Sequence, residues 1–205
     1  MRERSYGQDG LTIIDRLGVY LSRRPVLNIL RRYTQPVVLD IGCGYDARLL
    51  RDLAPSIKHG VGIDVKISVA ARALPQLTFY EKPIEQALDE FEGPQFDVIL
   101  MISVLEHLWD PQPVLTDCRR LLNPGGALVL NVPNWLGKRF LEFSAFKLAL
   151  SPASEMDDHK MYYSKQHLWP LLVRAGFKPS EIRMRYHKLG LNLFAVAAKS
   201  GGNVK

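Results

Sequence analysis

The sequence predicts a doubly wound α/β fold, in which a mostly parallel sheet is covered by helices on both faces. Three observations lead to this prediction. Between residues 36 and 133, short apolar runs alternate with segments of helical periodicity, the pattern of repeated βαβ units. The run at 95–102 is apolar on both faces, as buried parallel strands are. The runs at 180–186 and 191–198 are joined by a link short enough for a hairpin, which predicts a C-terminal antiparallel pair.

The first 35 residues are predicted to form a helical lead-in. Apolar side chains recur there at helical spacing, and Pro25 marks a break or the start of a second helix. A chain of 205 residues that is 47% hydrophobic is long enough for one sizeable core and short for two full domains. We therefore expect one domain over residues 36–198, followed by a disordered tail at 199–205.

Five strands and their helices follow in alternation. The strands are expected at 37–41, 59–64, 77–80, 95–102 and 127–132. Helices are expected at 49–53, 67–74, 84–91 and 110–122, the last ended by Asn123-Pro124-Gly125-Gly126. Residues 134–163 interrupt this rhythm and are predicted to be a lid insertion. A final helix at 164–175 is stopped by Gly176.

The composition restricts the cellular setting. Cys43 and Cys118 are too few for a disulfide framework or a four-cysteine zinc site, which indicates a reducing compartment, and no metal site is predicted. The chain begins with a polar segment, and no apolar stretch approaches the ~20 residues of a membrane span. We expect a soluble, cytoplasmic protein.

The net charge of +6 is unevenly distributed along the chain. Residues 36–134 carry eight basic and thirteen acidic side chains, whereas residues 174–205 carry seven basic and one acidic. A basic flank can contact nucleic acid or an anionic membrane, or simply keep a protein soluble. Nucleic acid is not the partner we expect, a weak contact with an anionic membrane is an open alternative, and the sequence leaves the oligomeric state open.

A glycine-rich turn at residues 40–47 follows the first predicted strand. Gly42 and Gly44 permit a tight turn and a close approach of the backbone to a ligand. In an open α/β sheet, ligands bind at this carboxyl end of the strands. Asp64 comes twenty residues after Gly44, at the end of the second strand, where a carboxylate can accept both hydroxyls of a ribose.

Two cofactor classes fit this turn. Gly42-x-Gly44-x-x-Ala47 with Asp64 satisfies the loose dinucleotide fingerprint, which favours an NAD(P)-dependent oxidoreductase. Asp40 favours the other class, because a carboxylate at this position suits a cationic amino group and repels a pyrophosphate. S-adenosylmethionine carries an ammonium and a sulfonium and no phosphate.

With the glycine turn, Asp40 and Asp64 at this spacing, the sequence resembles the class I S-adenosylmethionine-dependent methyltransferases over residues 36–198. The matching segments are 38–44, 62–65, 96–99, 103–111, 121–126, 163–168 and 175–177, in the order and spacing of that family. The resemblance implies a Rossmann-like α/β/α sandwich. It also implies S-adenosylmethionine as the cofactor and S-adenosylhomocysteine as its product.

The resemblance implies a role for each matching residue. The methionine part of the cofactor would lie against Asp40, Gly42, Cys43 and Gly44. Asp64 would hold the ribose, and Val65 would lie beside the adenine. The floor near the sulfonium would be formed by Ser103, Val104 and Leu105.

Two positions depart from the family's pattern. Asp46 stands at the third glycine of the turn, where it can tighten or shift the loop. After the third strand, Lys82 stands where the family often has an acidic residue for the adenine amino group, and an ammonium cannot accept that hydrogen bond. Backbone atoms near Lys82 and Pro83 are expected to contact the adenine instead.

Methyl transfer requires alignment of donor and acceptor, exclusion of water and, for some acceptors, a base. His107 follows the fourth strand and His159 lies in the lid segment, and each is a candidate base for a hydroxyl proton. The alternatives are that Glu106 and His107 cap and orient the following loop, and that the acidic residues beside His159 form a solvated turn.

The acceptor is predicted by class. The residues after the fourth strand, Ser103-Val104-Leu105-Glu106, differ from the Asn/Asp-Pro-Pro-aromatic tetrad of the base N-methylases in this family. The lid is rich in aromatic, aliphatic and basic side chains, which favours an amphiphilic or lipid-linked acceptor, although a helix packed on its own core has the same pattern. Together with Leu105-Glu106-His107, the lid resembles the small-molecule branch of the family, which implies a small-molecule, sugar-linked or lipid-linked acceptor, and we expect methylation at a hydroxyl. Two alternatives stay open: the oxidoreductase, and a catalytically silent RNA- or membrane-docking module that retains a cofactor pocket.

Overall fold

The computed structural model describes residues 5–7, 13–137 and 160–201, and over residues 13–19 the backbone alone. The strands are β1 (Val37–Ile41), β2 (His59–Asp64), β3 (Leu77–Glu81), β4 (Phe96–Ile102), β5 (Leu122–Pro133), β6 (Ile182–His187) and β7 (Asn192–Ala198). The helices are α1 (Ile13–Leu30), α2 (Arg48–Leu53), α3 (Ile84–Leu88), α4 (Pro111–Leu121) and α5 (Lys165–Arg174). Most of the predicted lid, with His159, lies outside the described residues, as do residues 202–205 of the predicted tail. In the described part of the chain, no helix is both long and apolar enough to cross a membrane.

The strands form one seven-stranded sheet in the order β3-β2-β1-β4-β5-β7-β6. Strands β1 to β5 pair in parallel, with Val38 opposite Gly60 on one side and opposite Val98 on the other. The order of strands therefore reverses beside β1, between β1 and β4. Ligands of doubly wound sheets bind outside the carboxyl ends of the strands at this reversal. The predicted Rossmann-like α/β fold is confirmed.

The C-terminal hairpin is also confirmed, with a detail that the strand pattern does not show. β7 inserts between β5 and β6 and runs antiparallel to both, so that β6 is the edge of the sheet. Both hairpin partners thus belong to the main sheet, and the turn between them lies at the carboxyl ends of β4 and β5, because Asn192 pairs with Pro133.

Two apolar clusters fill the two faces of the sheet. On one face, α1 and α2 pack against the sheet through residues such as Val26, Leu50 and Leu100. On the other face, α3, α4 and α5 pack through residues such as Leu88, Leu115 and Leu168. Alternate residues of the buried strands enter opposite clusters, as the period of two in a strand requires. This explains why these strands are continuous apolar runs in the sequence.

The break predicted at Pro25 is wrong, because α1 continues through that residue. Proline has no N–H, so the carbonyl of Leu21, four residues earlier, loses its helical partner. That carbonyl instead lies 3.1 Å from Nε2 of His187, which donates to it from the end of β6. The helix keeps its course because a side chain from the far end of the sequence replaces the missing donor.

Two further elements differ from the prediction. The expected helix at 67–74 is only a 3₁₀ turn at Ala70–Ala73, in which the N–H groups of Ala71 and Arg72 donate to carbonyls three residues earlier. The Asn-Pro-Gly-Gly segment belongs to β5, which begins at Leu122. There Phe96 pairs with Leu122 and Val98 with Ala127, so the segment forms a bulge in the strand.

Candidate cofactor and acceptor site

The glycine turn after β1 contacts the loop after β4 directly. Gly42 and Gly44 have φ angles of 70° and 80°, in the region that favours glycine. A Cβ added to Gly42 would lie 2.4 Å from Cγ2 of Val104. Position 42 therefore needs glycine for two reasons, its backbone conformation and the close approach of Val104.

The turn is tied to the end of β2 by backbone donors. The N–H groups of Gly42 and Cys43 both donate to the carbonyl of Ile63, at 2.8 and 3.1 Å. The N–H of Gly44 donates to the Asp64 carboxylate at 2.8 Å. The glycine turn and Asp64, the acidic residue predicted at the end of β2, thus belong to one hydrogen-bonded unit.

A partly open cavity lies beside this turn. Four of its lining residues were predicted from the sequence, namely Asp40, Gly42, Cys43 and Gly44. The others are Tyr6, Gly7, Ser22, Asp46, Ala47, Arg48, Leu49 and Ile102. The structure therefore brings the predicted methionine-side residues together in one cavity.

Asp40 places a carboxyl group in the wall of this cavity with only 2% of its surface exposed. Burial, and to a smaller extent the charge of Asp64, raises the pKa of Asp40 to about 8. The same burial, followed by the charges of Asp40 and Asp64, raises the pKa of the Cys43 thiol well above its usual range, so this thiol stays protonated. A cation in the cavity would stabilise the ionised form of Asp40.

Asp64 does not line the cavity but is bonded to Gly44, which does, and both of its carboxylate oxygens are engaged. One oxygen accepts the N–H of Gly44, and the other accepts the N–H of Val65 at 2.8 Å and the hydroxyl of Ser5. A carboxylate has about four acceptor positions, so Asp64 keeps limited room for a further donor.

The residues predicted near the adenine lie on the same edge. The N–H of Lys82 donates to the Asp64 carbonyl at 3.0 Å, which ties the end of β3 to the end of β2. Its ammonium pairs with Glu90. Pro83 follows as the residue that precedes α3. Lys82 is thus fixed by its backbone, and its charged end has an acidic partner of its own.

The predicted floor after β4 is a tight turn. Ser103 has a positive φ of 59°, and its N–H donates to the Asn131 carbonyl at 2.8 Å. Val104 packs against Gly42, and Leu105 is buried at the start of the 3₁₀ turn Leu105–His107. The half-buried His107 ends that turn, with its N–H donating to Val104 at 3.0 Å.

Residues 160–163 cross the ends of β4 and β5. The N–H groups of Lys160 and Met161 donate to the carbonyl of Glu106, and that of Tyr163 donates to the carbonyl of Pro133. Burial, followed by the charge of Glu106, raises the pKa of Tyr163 to about 12. Exposed apolar side chains surround this crossing, and they are Trp109, Trp135, Leu136 and Met161. We call these four residues the apolar rim.

Asn131 is a buried polar residue that the sequence pattern of β5 hides. Its side chain is fully buried, and neither its oxygen nor its nitrogen has a hydrogen-bond partner among the described residues. Asn131 is in register with Ile102, which lines the cavity, and register partners of parallel strands point to the same face. An amide with free donor and acceptor capacity therefore lies beside the cavity wall.

The residues present fit S-adenosylmethionine. A buried carboxyl suits its ammonium, the glycine turn leaves room beside the backbone, and an acidic side chain lies one strand away for its ribose. Sequence analysis missed Ser5, Tyr6 and Asn131 as parts of this region. Ser5 and Tyr6 lie far from the turn along the chain, and Asn131 stands within an apolar run, so no local pattern distinguishes them.

Comparison with known proteins gives a consistent result. A family model described as "Methyltransferase domain" matches residues 15–182. The chain is 27% identical over 180 residues to a Mycolicibacterium smegmatis protein named "Probable S-adenosylmethionine-dependent methyltransferase". The aligned region covers 82% of this chain and 61% of that protein. It is 30% identical over 167 residues to a ubiquinone biosynthesis O-methyltransferase of Maricaulis maris, with coverages of 77% and 59%. The chain spans about half to three fifths of the length of its curated relatives.

Solved structures share the fold. An S-adenosylmethionine-dependent methyltransferase of Mesorhizobium loti superposes with a TM-score of 0.63 at 16% identity, covering 89% of this chain and 98% of that one. The CurJ carbon methyltransferase superposes with a TM-score of 0.67 at 17% identity, covering 91% and 55%. At these identities the likeness establishes the sheet order and the helical layers.

Proposed function

The chain belongs to the class I S-adenosylmethionine-dependent methyltransferases, and from this premise we propose that it methylates a hydroxyl of a small-molecule, sugar-linked or lipid-linked acceptor. The observation that supports this acceptor class best is the apolar rim at the ends of β4 and β5, since Ile102, the last residue of β4, lines the cavity. Relatives named as ubiquinone biosynthesis O-methyltransferases support oxygen as the methylated atom. The family assignment replaces the dinucleotide-dependent oxidoreductase considered for the glycine turn.

The cofactor is assigned to the cavity residue by residue. Asp40 faces its ammonium, with Gly42, Cys43 and Gly44 along the methionine part. Asp64 holds the ribose, and Val65, Lys82 and Pro83 border the adenine. Ser103, Val104 and Leu105 form the floor beneath the sulfonium. The support for this placement is that the first four residues line one cavity and that Asp64 is hydrogen-bonded to Gly44.

The apolar rim suits an acceptor with a large apolar part. Trp135 and Tyr162 have ring centroids 5.5 Å apart, and the ammonium of Lys160 lies 5.3 Å from the ring centroid of Trp109. Aromatic rings offer a flat apolar surface to a ring or a lipid chain. The basic side chain beside them suits an acceptor with an anionic group, and it suits a weak contact with an anionic membrane.

When bound, S-adenosylmethionine supplies an activated methyl group, which an acceptor oxygen takes in an in-line displacement that leaves S-adenosylhomocysteine. The protein's own residues align the two molecules and remove the hydroxyl proton. His107 is the proposed base among the described residues, because it ends the turn Leu105–His107, which includes the last residue of the proposed floor. His159 is kept as the second candidate from the sequence.

The test is methyl transfer from labelled S-adenosylmethionine to matched acceptors. We expect label on catechols and on phenols with an apolar tail, and none on the corresponding anilines. His107→Asn should lower kcat by about 10²-fold or more and remove the rise of kcat with pH, because the base has been lost. His59→Asn, at the start of β2, is the matched control and should retain activity. Transfer to amines or carbon alone would contradict the proposal.

Asn131 gives a separate prediction about stability. Asn131→Leu should raise the free energy of unfolding by about 1–2 kcal/mol, because it removes two buried polar atoms that have no hydrogen-bond partner among the described residues. Binding of S-adenosylhomocysteine should not change, because Asn131 does not line the cavity. Urea denaturation and calorimetry measure the two effects. A loss of stability in the variant would contradict this account of the amide.

A further inference from the structure

The segment Ser5–Gly7 lies across the cofactor turn, and we call these three residues the strap. The carbonyl of Tyr6 accepts the N–H of Tyr45 at 2.9 Å. The same carbonyl lies 3.2 Å from the position that a Cβ on Gly44 would occupy. Tyr6 and Gly7 line the cavity together with Asp40. The strap is therefore an outer wall of the cofactor cavity, built from a part of the chain far from the turn in sequence.

Ser5 fixes the strap to the end of β2. It is only 5% exposed, and its Oγ accepts the N–H of Lys66 at 2.8 Å. The same oxygen lies 2.7 Å from the Lys66 carbonyl and within hydrogen-bond distance of the Asp64 carboxylate. A serine hydroxyl has one proton and can donate to only one of these two acceptors at a time. The Ser5 side chain can therefore keep its position while its proton turns from the Asp64 carboxylate to the Lys66 carbonyl.

We propose that Ser5 is a further residue of the cofactor site. When the site is free, the Ser5 hydroxyl occupies one ribose-binding position of Asp64. When the cofactor is bound, Ser5 holds the strap in place. A ribose hydroxyl that donates to Asp64 displaces the serine proton to the Lys66 carbonyl. The N–H of Lys66 continues to donate to Ser5 in both states. The strap thus closes over the bound cofactor without losing its attachment.

This inference rests on the proposed placement of the ribose at Asp64. Loss of the hydrogen bond between Ser5 and Lys66 leaves the Lys66 partner groups unpaired, which weakens the closed site. Mutations at a binding interface act mostly on the dissociation rate. Removing the serine hydroxyl should therefore speed release of the cofactor. It should not slow its entry, because the competing donor on Asp64 is also gone.

The test compares Ser5→Ala with Ser56→Ala, an exposed serine of the Ala54–Ser56 turn, by surface plasmon resonance with S-adenosylhomocysteine. We expect Ser5→Ala to raise the dissociation rate about tenfold with an association rate equal to or above that of the wild type. Ser56→Ala should change neither rate. Faster association with unchanged dissociation would overturn the clamp, and unchanged rates would overturn the whole proposal.

A second measurement is independent of the ligand. Amide hydrogen exchange should be faster at Tyr45 and Lys66 in ligand-free Ser5→Ala than in the wild type, because the strap is no longer fixed. In the wild type, S-adenosylhomocysteine should slow both amides further. Exchange that is unchanged in the variant would overturn the attachment of the strap.

Asp64→Asn distinguishes the placement of the ribose at Asp64 from the role of Ser5. If Asp64→Asn leaves the affinity for S-adenosylhomocysteine unchanged, the ribose does not bind at Asp64. The proposed replacement of the Ser5 hydroxyl by a ribose hydroxyl at Asp64 is then wrong as well. If the affinity falls in Asp64→Asn while Ser5→Ala binds as the wild type does, the cofactor placement stands and Ser5 has no part in it.

Discussion

Replacing Gly42 with alanine is expected to destabilise the protein by about 2–5 kcal/mol and to weaken binding of S-adenosylhomocysteine at least tenfold. The left-handed backbone at φ 70° costs an alanine about 1–2 kcal/mol, and the contact 2.4 Å from Val104 adds an overpacking cost of about 1–3 kcal/mol. Binding weakens because relief of the contact moves the turn away from the cavity. Urea denaturation and calorimetry measure the two effects.

Two variants separate the causes. Gly125 has a φ of 83° with open space around it, so Gly125→Ala should show the backbone cost alone, about 1–2 kcal/mol. In the background Val104→Ala, the additional cost of Gly42→Ala should approach that same value, because the crowded methyl groups are gone. If Gly42→Ala costs no more than Gly125→Ala in the wild-type background, the contact with Val104 is not a constraint.

Asp40→Asn is expected to weaken cofactor binding at least about 10²-fold and to stabilise the ligand-free protein at alkaline pH. Burial raises the pKa of Asp40 from 3.8, the ordinary value of an aspartate, to about 8 in the folded protein. Because the folded pKa is the higher one, the unfolded state loses its proton first, and stability falls as the pH rises from about 4 to about 8. The slope from this group is at most about 1.4 kcal/mol per pH unit. Asparagine carries no such proton, so the variant lacks this decline.

Loss of the carboxylate also removes the proposed partner of the cofactor's ammonium. A buried charge pair broken on one side costs about 3–5 kcal/mol, so affinity for S-adenosylhomocysteine should fall at least about 10²-fold. Thermal unfolding at pH 6 and pH 8.5, with and without S-adenosylhomocysteine, shows both effects. Asp52→Asn, an exposed carboxylate, is the control and should change stability little. A ligand-free variant less stable than the wild type at pH 8.5 would contradict the account of Asp40.

The sequence predicts the part of the site in which each residue follows a strand end. Asp40, Gly42, Cys43 and Gly44 come directly after an apolar run, and Asp64 comes after the next one. Parallel strands bring their carboxyl ends to one edge, so the order of elements places these residues near one another before any contact is known. The cavity that four of them line agrees with that placement.

Contacts between distant segments are what local patterns do not contain. Ser5 meets Asp64 across 59 residues, and His187 meets Leu21 across 166. Pro25 breaks a helix by every local rule, and only the histidine from β6 shows why α1 continues. Asn131 stands in a strand whose neighbours are apolar, where its burial without a partner is visible only in three dimensions.

The position of β7 between β5 and β6 has a consequence for the order in which the protein is completed. β6 is synthesised before β7, yet in the described sheet it pairs with β7 alone, so it stays outside the sheet until the later strand has emerged. The turn between the two strands supplies the Leu191 carbonyl that accepts the N–H of Asn134 at 3.1 Å, next to the apolar rim. The proposed cofactor residues that follow β1 and β2 are therefore synthesised before β7 can join β5 beside the apolar rim.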